Sequence, residues 1–130
     1  MSSTQHTRHK ILIVEDDRFI AEMYAHALTG AGYNVTVAAD GKSGFHEIKS
    51  DKFDLVLLDI MLPEQMGDQI LREWRALRPK SVRPHIIVMT NYEQDEASRA
   101  AVKADADAYL IKADTTPRKL RDIIAEVLDN

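Results

Sequence analysis

Four places in the sequence set a reactive side chain directly after a short apolar run. Lys10 to Val14 leads to Glu15, Asp16 and Asp17; Leu55 to Leu58 leads to Asp59; Ile86 to Met89 leads to Thr90; Ala108 to Ile111 leads to Lys112. These residue types point to one chemistry. Carboxylates gathered without any cysteine or close histidine pair make a hard, oxygen-rich site that suits Mg²⁺, or Mn²⁺, and not zinc. A lysine adds a point cation and a threonine a hydroxyl donor, a set able to hold the equatorial oxygens of a transferring phosphoryl group. Asp59 is then the nucleophile and forms an acyl phosphate. Taken alone, Asp59 also reads as a cap or turn residue, and Asp17 as the cap of the helix that follows it. Glu15 and Asp16 fit that reading less well, because adjacent acids at a strand end repel unless a cation or water separates them. Neither a glycine-rich P-loop nor a GxGxxG turn is present, so a nucleotide is not the obvious donor.

The elements that must position these groups follow from periodicity. Leu55 to Leu58 shows no polar alternation, as expected of a strand buried on both faces of a parallel sheet. The carboxyl ends of such strands form the rim where ligands bind in open α/β sheets. Between the runs come helical patterns. Arg18 to Leu28 carries Phe19, Met23, Ala27 and Leu28 and stops at Gly30-Ala31-Gly32; a second helix carries Phe45 and Ile48, and a third Ile70, Trp74 and Leu77. The fourth, from about Gln94 to Ala104, offers only Ala97, Ala100, Ala101 and Ala104 on its expected inner face. Alanines bury little area, so this helix is expected to be the most loosely held. Thr115-Thr116-Pro117 starts the last helix, whose stripe is Leu120, Ile123, Ile124, Val127 and Leu128. With Asn34 to Ala39 as another strand, five strands alternate with five helices. That alternation predicts an α/β, doubly wound five-stranded parallel sheet of flavodoxin-like order 2-1-3-4-5. This order sets strands 1 and 3 side by side and turns Glu15 and Asp16 toward Asp59, with Thr90 and Lys112 along the edge.

Composition narrows the partners. A chain of 130 residues is long enough for one domain with a full core, and its net charge of −4 is mild. The polar, aperiodic residues 1–9 are expected to form a flexible tail, with the domain spanning 10–130. Basic residues are scattered along the sequence, which gives no sign of nucleic-acid binding. The lack of cysteine fits a reducing cytoplasm. No apolar run approaches membrane-spanning length, and the N-terminus lacks a signal-peptide core.

The segments ILIVEDD (Ile11 to Asp17), DLVLLDIMLPEQMG (Asp54 to Gly67), IIVMT (Ile86 to Thr90) and ADAYLIK (Ala106 to Lys112) together resemble the receiver domain of two-component response regulators. The resemblance runs from about Lys10 to the end of the chain. It implies that Asp59 is the phosphoacceptor, charged by a histidine kinase or a phosphotransfer protein. It implies that Glu15 and Asp16 are the acidic pair, Asp16 the more direct Mg²⁺ ligand, with Asp59 and the backbone carbonyl of Met61 completing the protein ligands. Lys112 contacts the phosphoryl group, Thr90 swings toward it, and Tyr109 follows Thr90 inward; Tyr109 also reads as a plain surface tyrosine. The resemblance places the readout at the fourth helix, fifth strand and fifth helix.

The sequence departs from the family in two places. The family lysine is commonly followed by a proline with a cis peptide bond, whereas Ala113 follows Lys112. A non-proline cis bond costs about 3 kcal/mol, so a trans loop and a differently aimed Lys112 are expected. Asn91 and Tyr92 stand where a small residue commonly follows the threonine, adding bulk beside the site. With the last helix ending at the C-terminus, a single-domain regulator is expected, acting on a downstream protein target, relaying the phosphoryl group onward or pairing as a homodimer; the other reading is a fragment of a longer chain. The alternative is a pseudo-receiver, a docking module independent of phosphorylation. An aspartyl-phosphate hydrolase is disfavoured, since Ile60 and Met61, not a second acid, follow Asp59.

Overall fold

The computed structural model describes residues 8–62, 66–78, 83–91 and 96–129. Five strands form one all-parallel sheet: β1 (Lys10–Val14), β2 (Asn34–Ala38), β3 (Leu55–Asp59), β4 (His85–Thr90) and β5 (Ala108–Ile111). Their order is β2-β1-β3-β4-β5, the predicted one. The helices are α1 (Arg18–Gly30), α2 (Gly41–Ile48), α3 (Gly67–Leu77), α4 (Glu96–Asp105) and α5 (Pro117–Asp129), and a short 3₁₀ turn, Lys112–Asp114, follows β5.

The central strands β1, β3 and β4 bury both faces, which is why their apolar runs are continuous. Alternate residues go to opposite layers. Leu12, Val14, Val56, Leu58, Ile86 and Val88 pack with Ile48 of α2, Ile70, Leu71 and Trp74 of α3, and Val102 of α4. Ile11, Ile13, Leu55, Leu57, Ile87 and Met89 pack with Ala21, Tyr24 and Leu28 of α1 and Leu120, Ile124 and Leu128 of α5. Register then fixes the rim: Val14 pairs with Leu58, Asp59 with Met89, and Thr90 with Ile111. The residues after Val14 and at the end of β3 therefore emerge side by side.

Caps appear where the sequence placed them. The Asp17 carboxylate accepts from the Ile20 N–H at 3.1 Å, and the Thr116 hydroxyl accepts from the Lys119 N–H at 3.1 Å, with Pro117 in the first turn. At the other end of α1, Gly32 takes φ +100°, a conformation that glycine adopts at no steric cost. Residues 1–7 of the expected tail lie outside the described residues, but the His9 carbonyl already accepts from the Asn34 N–H at 3.0 Å.

Three helix faces differ from their periodicity. On α1 the buried residues are Ala21, Tyr24 and Leu28, while Phe19 is 86% and Met23 46% exposed. The buried stripe runs i, i+3, i+7, and its tyrosine carries a polar hydroxyl that makes it less conspicuous than Phe19 and Met23 beside it. On α3, Leu71 is buried in place of Leu77, which is 59% exposed. On α4, Ala100 and Ala104 face solvent, Ala97 and Ala101 lie outside the described side chains, and Val102 is the buried anchor. One valine still makes a small anchor. Val102→Ala is expected to cost about 2 kcal/mol, read by urea unfolding, and to speed amide exchange through α4 more than through α5. Equal protection in both helices would show that α4 is held elsewhere, for instance by the Arg75 Nε–H donating to the Asp105 carbonyl at 3.0 Å.

Candidate phosphoacceptor and metal site

The rim joins the ends of β1, β3, β4 and β5. Glu15 and Asp59 are both 4% exposed, Thr90 is 1% exposed, and Asp16 stands in solvent beside them. Carboxylate oxygens of Glu15, Asp16 and Asp59 lie within 4.8 Å of one another. Buried like charges at such spacing need a counter-charge. Lys112 provides it from β5: its Nζ donates to Glu15 Oε1 and stands 3.3 Å from Asp59 Oδ2. Backbone donors fix the remaining oxygens, the Met61 N–H reaching Asp59 Oδ1 at 3.1 Å and the Asp17 N–H reaching Glu15 Oε2 at 3.2 Å.

The charges register on one another. Burial pushes the Glu15 carboxyl up to about 7; the Lys112 hydrogen bond opposes this and neighbouring Asp59 reinforces it. For Lys112, burial works against the ammonium, but Glu15 and Asp59 outweigh it and the pKa rises. The site is thus a cluster of three acids, two more than its lysine balances. Its all-oxygen donor set fits a hard divalent cation.

The loop after Lys112 departs from the expectation in one respect. Among the described residues the cis peptide bond is Arg83–Pro84, so Lys112–Ala113 is trans. Lys112 nevertheless enters the site, because β5 delivers it beside Thr90 and the 3₁₀ turn carries the chain away only afterwards. Thr115 secures that turn by donating its hydroxyl to the Ile111 carbonyl at 2.8 Å.

Tyr109 lies one layer back. It pairs in register with Val88, packs half-buried against the α2–α3–α4 layer, and carries Lys103 Nζ 5.6 Å from its ring centroid. Asp68 remains a partly exposed helix-start acid, while Pro63, Glu64, Gln65 and Tyr92 lie outside the described residues.

Two positions next to the site escaped the sequence reading. Tyr24 is buried on α1, where burial foremost, and then the Glu15 charge, raises its pKa against the opposing pull of Lys112. Its i, i+3, i+7 spacing with Ala21 and Leu28 was the available signal. Gly67, the last residue of the segment that begins at Asp54, opens α3 with its N–H on the Ile60 carbonyl at 2.8 Å. A side chain there would meet the Asp59 backbone, which sequence spacing could not reveal.

A family model for the response regulator receiver domain matches residues 11–125. The chain belongs to this family. It is 36% identical over 118 residues to regulatory protein VanRB of Enterococcus faecalis, covering 91% of this chain and 50% of that protein. It is 34% identical over 118 residues to transcriptional regulatory protein CusR of Escherichia coli, covering 91% of this chain and 49% of that one. The receiver therefore spans about half the length of these relatives. Among solved structures it is similar to a CheY-like response regulator receiver domain protein from Methanospirillum hungatei, with TM-score 0.82, 37% identity and 94% of each chain covered. The beryllofluoride-activated DrrB receiver domain aligns with TM-score 0.78 and 28% identity over 95% of this chain and 99% of that one. Receiver domains are the phosphoacceptor modules of two-component signalling. Among the described residues of this one, no helix is long and apolar enough to cross a membrane.

Proposed function

We propose that this receiver accepts a phosphoryl group on Asp59 from a phosphohistidine of a histidine kinase or phosphotransfer protein, in a Mg²⁺-dependent reaction in the cytoplasm. The observation that carries the reading is the convergence of Glu15, Asp16, Asp59 and Lys112 on one rim, with Lys112 Nζ 3.3 Å from Asp59 Oδ2. Glu15, Asp16, Asp59 and the Met61 carbonyl are the proposed ligands of Mg²⁺, with Mn²⁺ the second choice. Bound there, the ion supplies neutralisation of phosphoryl charge. A carboxylate oxygen of Asp59 attacks phosphorus, the bond from phosphorus to the donor imidazole breaks, and an aspartyl phosphate forms. Lys112 leaves Asp59 for the new phosphoryl oxygens, and Thr90 donates its hydroxyl to them. Tyr109 follows Thr90, and a new dianion thereby shifts the face made of α4, β5 and α5 toward a form that a downstream protein reads.

Incubation with Mg²⁺ and acetyl phosphate is expected to add one phosphoryl mass to the intact chain, and EDTA to prevent it. No adduct, together with amide signals of Thr90 and Tyr109 unmoved by beryllofluoride, would overturn the reading in favour of phosphorylation-independent docking.

The donor is expected to approach across α1. Phe19 follows the acidic pair by three positions in the sequence and lies 86% exposed, with Met23 one turn further on. Exposed aromatics of this sort anchor protein contacts. Phe19→Ala should slow transfer from a phosphohistidine protein roughly tenfold, by removing about 1.4 kcal/mol of contact. Its rate with acetyl phosphate should stay unchanged, and equal slowing with both donors would place the defect in the site itself.

A further inference from the structure

The chain carries five methionines and no cysteine, so thioethers are its oxidisable sulfur. Met89 is buried, whereas Met23, Met61 and Met66 stand 46%, 39% and 38% exposed. Two of these three belong to the surroundings of Asp59. The Met61 N–H donates to Asp59 Oδ1 at 3.1 Å, and the fold turns the Met61 side chain outward while Ile60 and Leu62 on either side of it go inside. Met66 directly precedes Gly67, whose N–H donates to the Ile60 carbonyl at 2.8 Å and which packs against the Asp59 backbone too closely for a side chain. The Met66 carbonyl accepts from the Gln69 and Ile70 N–H groups, both at 3.1 Å, which pins it at the start of α3. A lone exposed methionine is ordinary surface. A pair held by its backbone around one reactive carboxylate is placed to change what that carboxylate meets.

We propose that Met61 and Met66 form a reversible oxidation site that turns down phosphoryl transfer to Asp59. The proposal rests on Asp59 being the phosphoacceptor and adds a regulator of that same site. The oxidant is of the hypohalous acid class. Each sulfur takes the oxygen of hypochlorous acid and loses two electrons, the chlorine is reduced, and chloride and a proton leave. A sulfoxide reductase returns the thioether, the oxygen leaving as water while two thiols become a disulfide.

Oxidation exchanges a flexible apolar side chain for a polar one with an acceptor oxygen. That oxygen is the negative end of the S–O dipole, and it arrives beside an acid cluster already short of counter-charge. A phosphoryl donor is itself an anion, so an added acceptor at the mouth of the site opposes its approach. Met23 stands on α1 and supplies the exposed comparison.

The test uses the full chain in Mg²⁺, treated with graded hypochlorite and mapped by peptide mass for one added oxygen at each methionine. Met61 and Met66 are expected to oxidise well before Met89. Uptake from acetyl phosphate should slow in step with them by roughly fivefold or more, the lower end of couplings between two sites. Sulfoxide reductase with a thiol should restore it, and the thermal melt should hold throughout. The double variant M61L/M66L, both positions exposed, replaces the thioethers by apolar side chains of similar size. Measured against its own untreated rate, it should lose no uptake on the same treatment, although Met23 becomes a sulfoxide in both proteins. Met61 and Met66 no more reactive than Met89, unchanged uptake with both as sulfoxides, or an equal loss in M61L/M66L each overturns the proposal. So does a loss of uptake that only follows unfolding. No uptake by the untreated native chain removes the phosphoacceptor reading and this one with it; intact uptake that the sulfoxides leave unchanged removes the oxidation site alone.

Discussion

Asp59→Asn is expected to take up no phosphoryl group from acetyl phosphate or from a phosphohistidine protein, where the native chain reaches measurable occupancy in Mg²⁺. The argument is electronic, because shape is nearly conserved. Asparagine fills the same volume and keeps an oxygen for the Met61 N–H that now reaches Asp59 Oδ1 at 3.1 Å. It lacks the anionic oxygen that attacks phosphorus. The variant should fold, because Lys112 keeps Glu15 as its buried counter-charge while the repulsion between Asp59 and Glu15 disappears. Mg²⁺ affinity should fall as well, since one of three carboxylates becomes neutral. Intact mass, with a thermal melt as the control for folding, decides the matter. Full uptake by the asparagine variant would move the nucleophile to Asp16 or elsewhere, and the assignment of Asp59 would be lost.

Gly67→Ala is expected to do comparable damage from outside the acid cluster. A β-carbon built at Gly67 lies 2.1 Å from the Asp59 carbonyl oxygen and 2.8 Å from both the Asp59 carbonyl carbon and the Ile60 α-carbon. These are backbone atoms at the end of a fully buried strand, so no side chain can rotate out of the way. Either α3 lifts off the sheet or the end of β3 bends. Overpacking of this kind costs about 3 kcal/mol or more when backbone must move. Urea unfolding should show that loss, and phosphoryl uptake should drop with it, because the displaced atoms belong to Asp59 itself. The comparison is Gly44→Ala, whose β-carbon meets Val14 methyls at 2.6 and 3.0 Å. Those methyls belong to a side chain that packs into the α2–α3–α4 layer and not to the backbone of the phosphoacceptor, so this variant should lose stability and keep its uptake. Wild-type stability in Gly67→Ala would show that the α3 start relaxes freely and does not hold the phosphoacceptor loop.

Much of this site was legible because its residues terminate strands. A parallel strand buried on both faces must be apolar throughout, so its polar end residue stands out against the run, as Asp59 does after Leu55 to Leu58. Four such ends, with right-handed crossovers, leave few topologies, and the predicted order was the observed one. Helix faces were less legible. Phe19 and Met23 look like a buried stripe by hydrophobicity, yet α1 turns Ala21, Tyr24 and Leu28 inward. The alanine face expected of α4 differs in the two positions described, since Ala100 and Ala104 face solvent and Val102 is buried.

The sequence by itself determined the sheet, the strand order, and the identity of the acids, the lysine and the threonine at its rim, since each depends on local pattern and on rules of chain connection. Only the tertiary structure decided that Lys112 reaches the acids without a proline behind it and that Gly67 must lack a side chain. Each of those facts is a distance between segments remote in the chain, and such distances are set by how the layers pack.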